Sequence, residues 1–175
     1  MAISSRLGYV DSCVMLMFAD YKDSLRNDYG IRNNEIEKSL IKNRPNLSMP
    51  MPAIGEVFCK IRDKCKGRTD EVLLEMNRLF NSGLISPAYI HDSNDLFPLA
   101  NVIARKTKDD RDQISTMDAL IIAAATMDRN CSVLYTTDSQ LIYDAGIANE
   151  INDWRNNKKY NPLTIRGVSE ILKSK

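Results

Sequence analysis

The sequence predicts an α/β fold with a mostly parallel sheet, and two observations carry that expectation. Short β-rich runs alternate with longer helical patterns along the chain, and several carboxylates fall at the ends of those elements. At 175 residues the chain suits one domain, 1–175, long enough to bury a core.

"RLGYVD" is rich in β-formers at Tyr9 and Val10 and reads as a first strand closing at Asp11, with a helix from Ser12 to Tyr21 behind it. "NNEIEKSLIKN" offers Asn34 as a cap and places Ile36, Leu40 and Ile41 at helical spacing. "NLSMPMP" is extended, because each proline biases its predecessor away from helix. "PAIGEVFCKIRDKCKG" opens on a first-turn proline and stops at Gly67, and "TDEVLLEMNRLFNSG" runs from a cap at Thr69 to a stop at Gly83. "LISPAYI" is a further strand. After the polar loop "HDSND" a helix spans about Leu96 to Lys106. The acidic loop "KDDRDQ" leads to Ser115, which caps an alanine-rich helix from Thr116 to about Arg129. "CSVLYTT" is a strand running into Asp138, "SQLIYDAGI" a short helix, "PLTIRG" a late strand, and Val168 to Lys173 a terminal helix.

Composition excludes several classes. A net charge of +1 gives no global attraction to nucleic acid or membrane. The chain has no run of 18 apolar residues to span a bilayer and no signal-peptide pattern. Cys13, Cys59, Cys65 and Cys131 form no CxxC pair and there is one histidine, His91, so a structural zinc site is not expected. Free thiols fit a reducing compartment, and the expected location is the cytoplasm. Neither GxxxxGK[ST] nor GxGxxG occurs, which argues against a nucleotide-binding module.

The carboxylates are the informative feature. Asp11 and Asp138 close strands, while Glu56 and Asp118 fall in the opening turns of helices that follow loops. All four can meet at the carboxyl edge of a parallel sheet, where ligands bind in such folds. Hard oxygen ligands without a nearby histidine suit Mg²⁺ or Mn²⁺. Each residue also has a local explanation. Asp118, three after Ser115, fits a capping-box partner; Glu56 in a first turn is favoured by the helix dipole; Asp138 fits a turn or cap. Asp11 is harder to explain away, because a charge ending an apolar strand is poorly solvated. At the far end of the apolar run, Asp128 is expected to be solvated, opposed to the dipole and without a role. Asp109, Asp110 and Asp112 read as solvated loop charge, and His91 as a loop residue.

Taken in order, "YVDSCVML", "PAIGEVFCKI", "STMDALIIAAA" and "VLYTTDSQL" resemble the PIN-domain family, which includes the VapC-type toxin ribonucleases of toxin–antitoxin pairs. The resemblance spans nearly the whole chain, and its last two stretches are the most specific. It implies a three-layer α/β/α fold with a small, mostly parallel, Rossmann-like sheet, and divalent-metal-dependent cleavage of RNA with Mg²⁺ or Mn²⁺. By motif, the family's acidic quartet falls on Asp11, Glu56, Asp118 and Asp138. Ser12 and Thr136 match hydroxyls that contact phosphate or support the ligands. The expected partners are RNA, single-stranded or structured, and an antitoxin or other inhibitor protein, with a homodimer as the assembly. The activity is that of either a toxin or an RNA-processing nuclease. Cys13 departs from the pattern, since many members carry Asn or another small polar residue there. The stretches from Asp20 to Arg44 and "DWRNNKKYN" exceed a minimal domain and read as insertions.

In the hypothesis built on that resemblance, Asp11, Asp118 and Asp138 hold one ion and Glu56 is a ligand or the base for the attacking water. Lys60 and Lys64, four and eight residues after Glu56, fall near its face and would meet phosphates flanking the cut. The other reading of "CKIRDKCKGR" is a solvated helix face, with Arg62, Lys66 and Arg68 turned elsewhere and Asp63 offsetting charge. Two other classes compete: a non-catalytic RNA-binding or scaffold protein on the same fold, and a phosphate-monoester hydrolase on a doubly wound sheet.

Overall fold

The computed structural model describes residues 7–19, 42, 46–65, 67–90, 94–106 and 114–173. The sheet comprises β1 (Leu7–Val10), β2 (Leu47–Pro50), β3 (Ser86–Ala88), β4 (Cys131–Thr136) and β5 (Thr164–Gly167). Between and after them lie α1 (Ser12–Ala19), α2 (Met51–Lys64), α3 (Thr69–Asn81), α4 (Leu96–Ala104), α5 (Thr116–Met127), α6 (Ser139–Tyr143), α7 (Ala145–Asn157) and α8 (Ser169–Lys173). Every strand pair is parallel, in the order β3-β2-β1-β4-β5, so the fold is a three-layer α/β/α arrangement.

The apolar pattern sets the strand positions. β1 and β2 are almost wholly buried, as expected of inner parallel strands. β3, with Pro87 in its middle, lies at an edge where a missing N–H is tolerated. β5, at the other edge, alternates between exposed and half-buried residues. Tyr9 pairs with Ser48 on one side and Leu134 on the other, which places β1 at the centre. From β1 the chain moves outward through β2 and β3, then returns to β4 on the opposite flank. The carboxyl ends of β1 and β4 therefore form the topological switch point, the usual ligand crevice of an open parallel sheet.

Helix limits follow local signals. Gly67 and Gly83 adopt φ of +81° and +71° just beyond α2 and α3, a conformation that costs glycine little. Alanines 119, 123, 124 and 125 of α5 are all buried, and their small side chains let α5 approach α4 and the sheet closely. The expected helices end a residue or two earlier than read from sequence, at Ala104 and Met127.

One expectation needs correction. "SQLIYDAGI" is not one short helix but parts of two, and the first half of "DWRNNKKYN" completes the second, α7. Asp144 accepts the Ile147 N–H at 2.9 Å and restarts the helix after α6, dividing what reads as one short helix into two. Ile147, Ile151 and Arg155, spaced by four, bury one face of α7. The helix at Asn34 to Ile41, together with Lys66, His91, Asp109, Asp110 and Asp112, lies outside the described residues.

Candidate active site at the carboxyl edge

Asp11 follows the last residue of β1 and is only 6% exposed. It is fixed from three directions. Its N–H donates to the Tyr135 carbonyl at 3.1 Å, and its Oδ1 accepts the Val14 N–H at 2.8 Å, capping α1. Its Oδ2 accepts the hydroxyl of Thr136, which is fully buried at the end of β4. Thr136 Oγ1 in turn accepts the Asp138 N–H at 3.0 Å. Neighbouring strand ends thus tie Asp11, Thr136 and Asp138 into one chain of contacts. Burial pushes the Asp11 carboxyl up to about 6. The Thr136 and Val14 hydrogen bonds and the Lys60 charge oppose that rise, and the charge of Asp118 adds to it. The last effect places Asp118, at the mouth of α5, within electrostatic reach of Asp11.

Asp118 also serves as a capping partner. Its N–H donates to Ser115 Oγ at 3.0 Å, and the same hydroxyl donates to Asp118 Oδ2 at 2.6 Å. Asp138 likewise caps α6, accepting the Gln140 N–H on Oδ1 at 2.8 Å. Capping and site placement coincide at these residues, because the helix mouths that need caps open onto the switch point.

For Glu56 the dipole explanation fails. Glu56 stands in the second turn of α2, whose first turn carries no acid. Its partners hold it instead. Oε2 accepts the Ser12 hydroxyl, and Oε1 lies 3.0 Å from Lys60 Nζ. Lys60 does not project from a solvated face. Its Nζ also donates to Ser12 Oγ at 2.8 Å and to Cys13 Sγ at 3.2 Å. Burial alone would lower its pKa; the Cys13 and Glu56 groups outweigh that and leave it raised. The side chain of Lys64 lies outside the described residues.

Two participants escaped the sequence. Cys13 adjoins the pocket as an acceptor for Lys60, a contact that residue type alone does not announce. Asp128 is not idle either: its Oδ2 accepts the hydroxyl of buried Tyr9 at 2.8 Å and its Oδ1 accepts the Asn130 N–H at 2.8 Å. Burial, then Asp128, raise the Tyr9 pKa. This pair braces β1 beneath Asp11.

The donors suit a hard divalent cation. Asp11 is a desolvated carboxylate that also feels the charge of Asp118, and a divalent charge would offset the burial that raises its pKa. Among the described residues no three His, Cys, Asp or Glu side chains stand close enough to enclose an ion unaided. Mg²⁺ does not require that, since it commonly keeps several waters and is held by one or two carboxylates plus substrate phosphate.

No family model matches the chain, and no curated protein matches it. Among solved structures the chain is similar to one in the VapBC2 complex of Rickettsia felis, determined bound to a DNA fragment from the promoter. The TM-score is 0.53 at 10% identity, covering 92% of this chain and 98% of that one. At this identity the likeness is one of fold. No helix among the described residues is long and apolar enough to cross a membrane.

Proposed function

We propose that this protein is a divalent-metal-dependent endoribonuclease that hydrolyses RNA phosphodiester bonds at the pocket of Asp11, Glu56, Asp118 and Asp138. The observation that carries this reading is the linkage of Asp11, Thr136 and Asp138 at the switch point, with the charge of Asp118 felt at the same buried carboxylate. Asp11 with one of Asp118 and Asp138 would hold one Mg²⁺ or Mn²⁺, its remaining positions filled by waters and substrate phosphate; the ion when bound supplies a water of lowered pKa and positive charge beside phosphate oxygens. Thr136 holds Asp11 in its ligating orientation. Glu56 would complete the ligands or accept the proton of the attacking water. Ser12, Lys60 and Lys64 would meet the phosphates. The likeness of fold to a VapBC2 chain supports looking for an antitoxin or other inhibitor as a partner, and a homodimer as the assembly. Both roles, toxin and RNA processing, use the same chemistry.

The test is incubation with total RNA under Mn²⁺ or with a chelator, for wild type and Asp118→Asn. Cleavage that needs Mn²⁺ and disappears in the variant is expected. Full activity of Asp118→Asn at saturating Mn²⁺ would contradict the assignment.

The caps made by Asp118 and Asp138 give specific support to a second reading, an RNA-binding scaffold that does not cut. That reading expects no calorimetric Mn²⁺ binding to metal-free protein.

A further inference from the structure

Away from the carboxyl edge, two clefts meet at Arg129 and Asn130, in the turn between α5 and β4. The first, of about 640 Å³, is lined by three tyrosines. Tyr9 is buried with its hydroxyl on Asp128, Tyr89 just past β3 is 65% exposed, and Tyr160 is half-buried. Tyr160 is firmly held. Lys159, just past α7, adopts a left-handed φ of +58°; its N–H donates to the Asn156 carbonyl at 3.0 Å and the Tyr160 N–H to the Arg155 carbonyl at 2.8 Å. The Arg155 guanidinium lies 5.7 Å from the Tyr160 ring centre, and Trp154 packs against that ring in a T-shaped pair at 6.0 Å. The second cleft, of about 780 Å³, is polar: Arg129, Arg166, Ser132, Thr164 and three asparagines line it, and no carboxylate does. Arg166 is committed to Glu170 at 2.7 Å, whereas the exposed Arg129 side chain has no partner among the described residues. A ligand that fits both clefts is flat enough to stack on phenol rings, offers N–H donors to Asp128 and carries an anion within reach of Arg129. A nucleotide combines these features.

We propose that the joined clefts hold one nucleotide unit: its base stacks against Tyr89 and Tyr160 with an N–H edge toward Asp128, and its phosphate enters the polar cleft to meet Arg129. The charges fix the direction, because a phosphate in the tyrosine cleft would face the Asp128 carboxylate. Arg129 suits the phosphate, since a guanidinium presents a fork of donors to its oxygens. Holding a nucleotide here does not depend on the nuclease reading of the carboxyl edge. Asp118 opens α5 and Asp128 follows its last turn, which separates the two by about 15 Å along the helix. A free nucleotide and one residue of a single strand present the same base and phosphate, and the measurement below separates these two sources.

The experiment is titration calorimetry with a chelator present, on wild type, Tyr89→Ala and Arg129→Ala. The probes are the four ribonucleoside 5′-monophosphates, the matching nucleosides and a short single-stranded RNA with an uncleavable backbone. Both replaced side chains are exposed, so both variants should fold, and thermal melts establish it. Saturable binding of a monophosphate or of the RNA is expected. Tyr89→Ala should weaken it about fivefold or more, the effect of losing one base stack. Arg129→Ala should remove the advantage of a monophosphate over its nucleoside, and for the RNA make the slope of log affinity against log salt shallower by about 0.7, the value for one phosphate contact on a single strand. Tighter binding of the RNA than of every monophosphate identifies a strand as the source, and the reverse identifies a free nucleotide; either result supports the proposal when both variants weaken binding. No saturable binding of any probe, or binding that either variant leaves unchanged, overturns it. Cleavage is not read, so that failure leaves the nuclease reading standing.

Discussion

The Thr136 hydroxyl donates to the Asp11 carboxylate across 125 residues of sequence, at the ends of two strands that lie side by side. That bond is where the two halves of the candidate site meet. Replacing Thr136 by Val keeps the shape and removes the donor. Asp11 then loses a hydrogen bond that lowers its pKa, and the Asp138 N–H loses its acceptor. A loss of about 1–3 kcal/mol in urea unfolding at pH 8 is expected. A cost well below 1 kcal/mol would mean that the hydroxyl is dispensable to the site's geometry.

The Asp11 carboxyl, raised from 3.8 to about 6 chiefly by burial, makes metal-free stability depend on pH. The folded state holds the proton more tightly than the unfolded state. The contribution is therefore full below pH 4 and is lost as pH rises through 6. A shift of that size corresponds to about 3 kcal/mol. Between pH 4 and 7.5, Asp11→Asn should gain stability relative to wild type by up to that amount. Parallel urea curves for the two proteins at each pH supply the difference, and a flat difference would refute the placement of Asp11.

Asp118→Asn should abolish Mn²⁺-dependent cleavage yet change stability by less than about 1 kcal/mol, because Ser115 Oγ still accepts the residue 118 N–H. Ser115→Ala should do the reverse, lowering stability by about 1 kcal/mol with cleavage retained. Thermal melts and cleavage assays on the two variants separate the cap from the site. If both variants lose cleavage equally, the cap positions the carboxylate and the two roles are one.

Arg155 is fully buried, and its guanidinium donates to the carbonyls of Ala125, Thr126, Asp128, Cys131 and Asn161, binding the end of α5 to the start of β4. Arg155→Met removes this donor from all five carbonyls, of which that of Asp128 keeps the Cys131 N–H, and should cost about 3 kcal/mol or more. Arg155→Lys should recover less than half of that, since one ammonium cannot span the fork. Chemical denaturation measures both.

Much of this was legible before any coordinates. Alternation of strand and helix, the glycine stops at 67 and 83, and the strand-end positions of Asp11 and Asp138 depend on short-range signals that a sequence carries openly. The missed features are those set by packing. Arg155 reads as one more charge in a polar stretch, and only its carbonyl partners, 24 to 30 residues earlier for α5 and β4, reveal a buried staple. Asp128 looked idle because its partner Tyr9 is 119 residues away. Lys60 was found by its four-residue spacing from Glu56, yet nothing local indicated that Ser12 and Cys13 would enclose it.

The central position of β1 also bears on when the molecule becomes whole. Asp11 is made 125 residues before the hydroxyl that orients it, and the residues of β2 and β3 are made between the two. A nascent chain that stops short of Thr136 can form one flank of the sheet and still lack the partner of its buried aspartate. Whatever chemistry the pocket performs thereby waits on the arrival of β4, a dependence written into strand order.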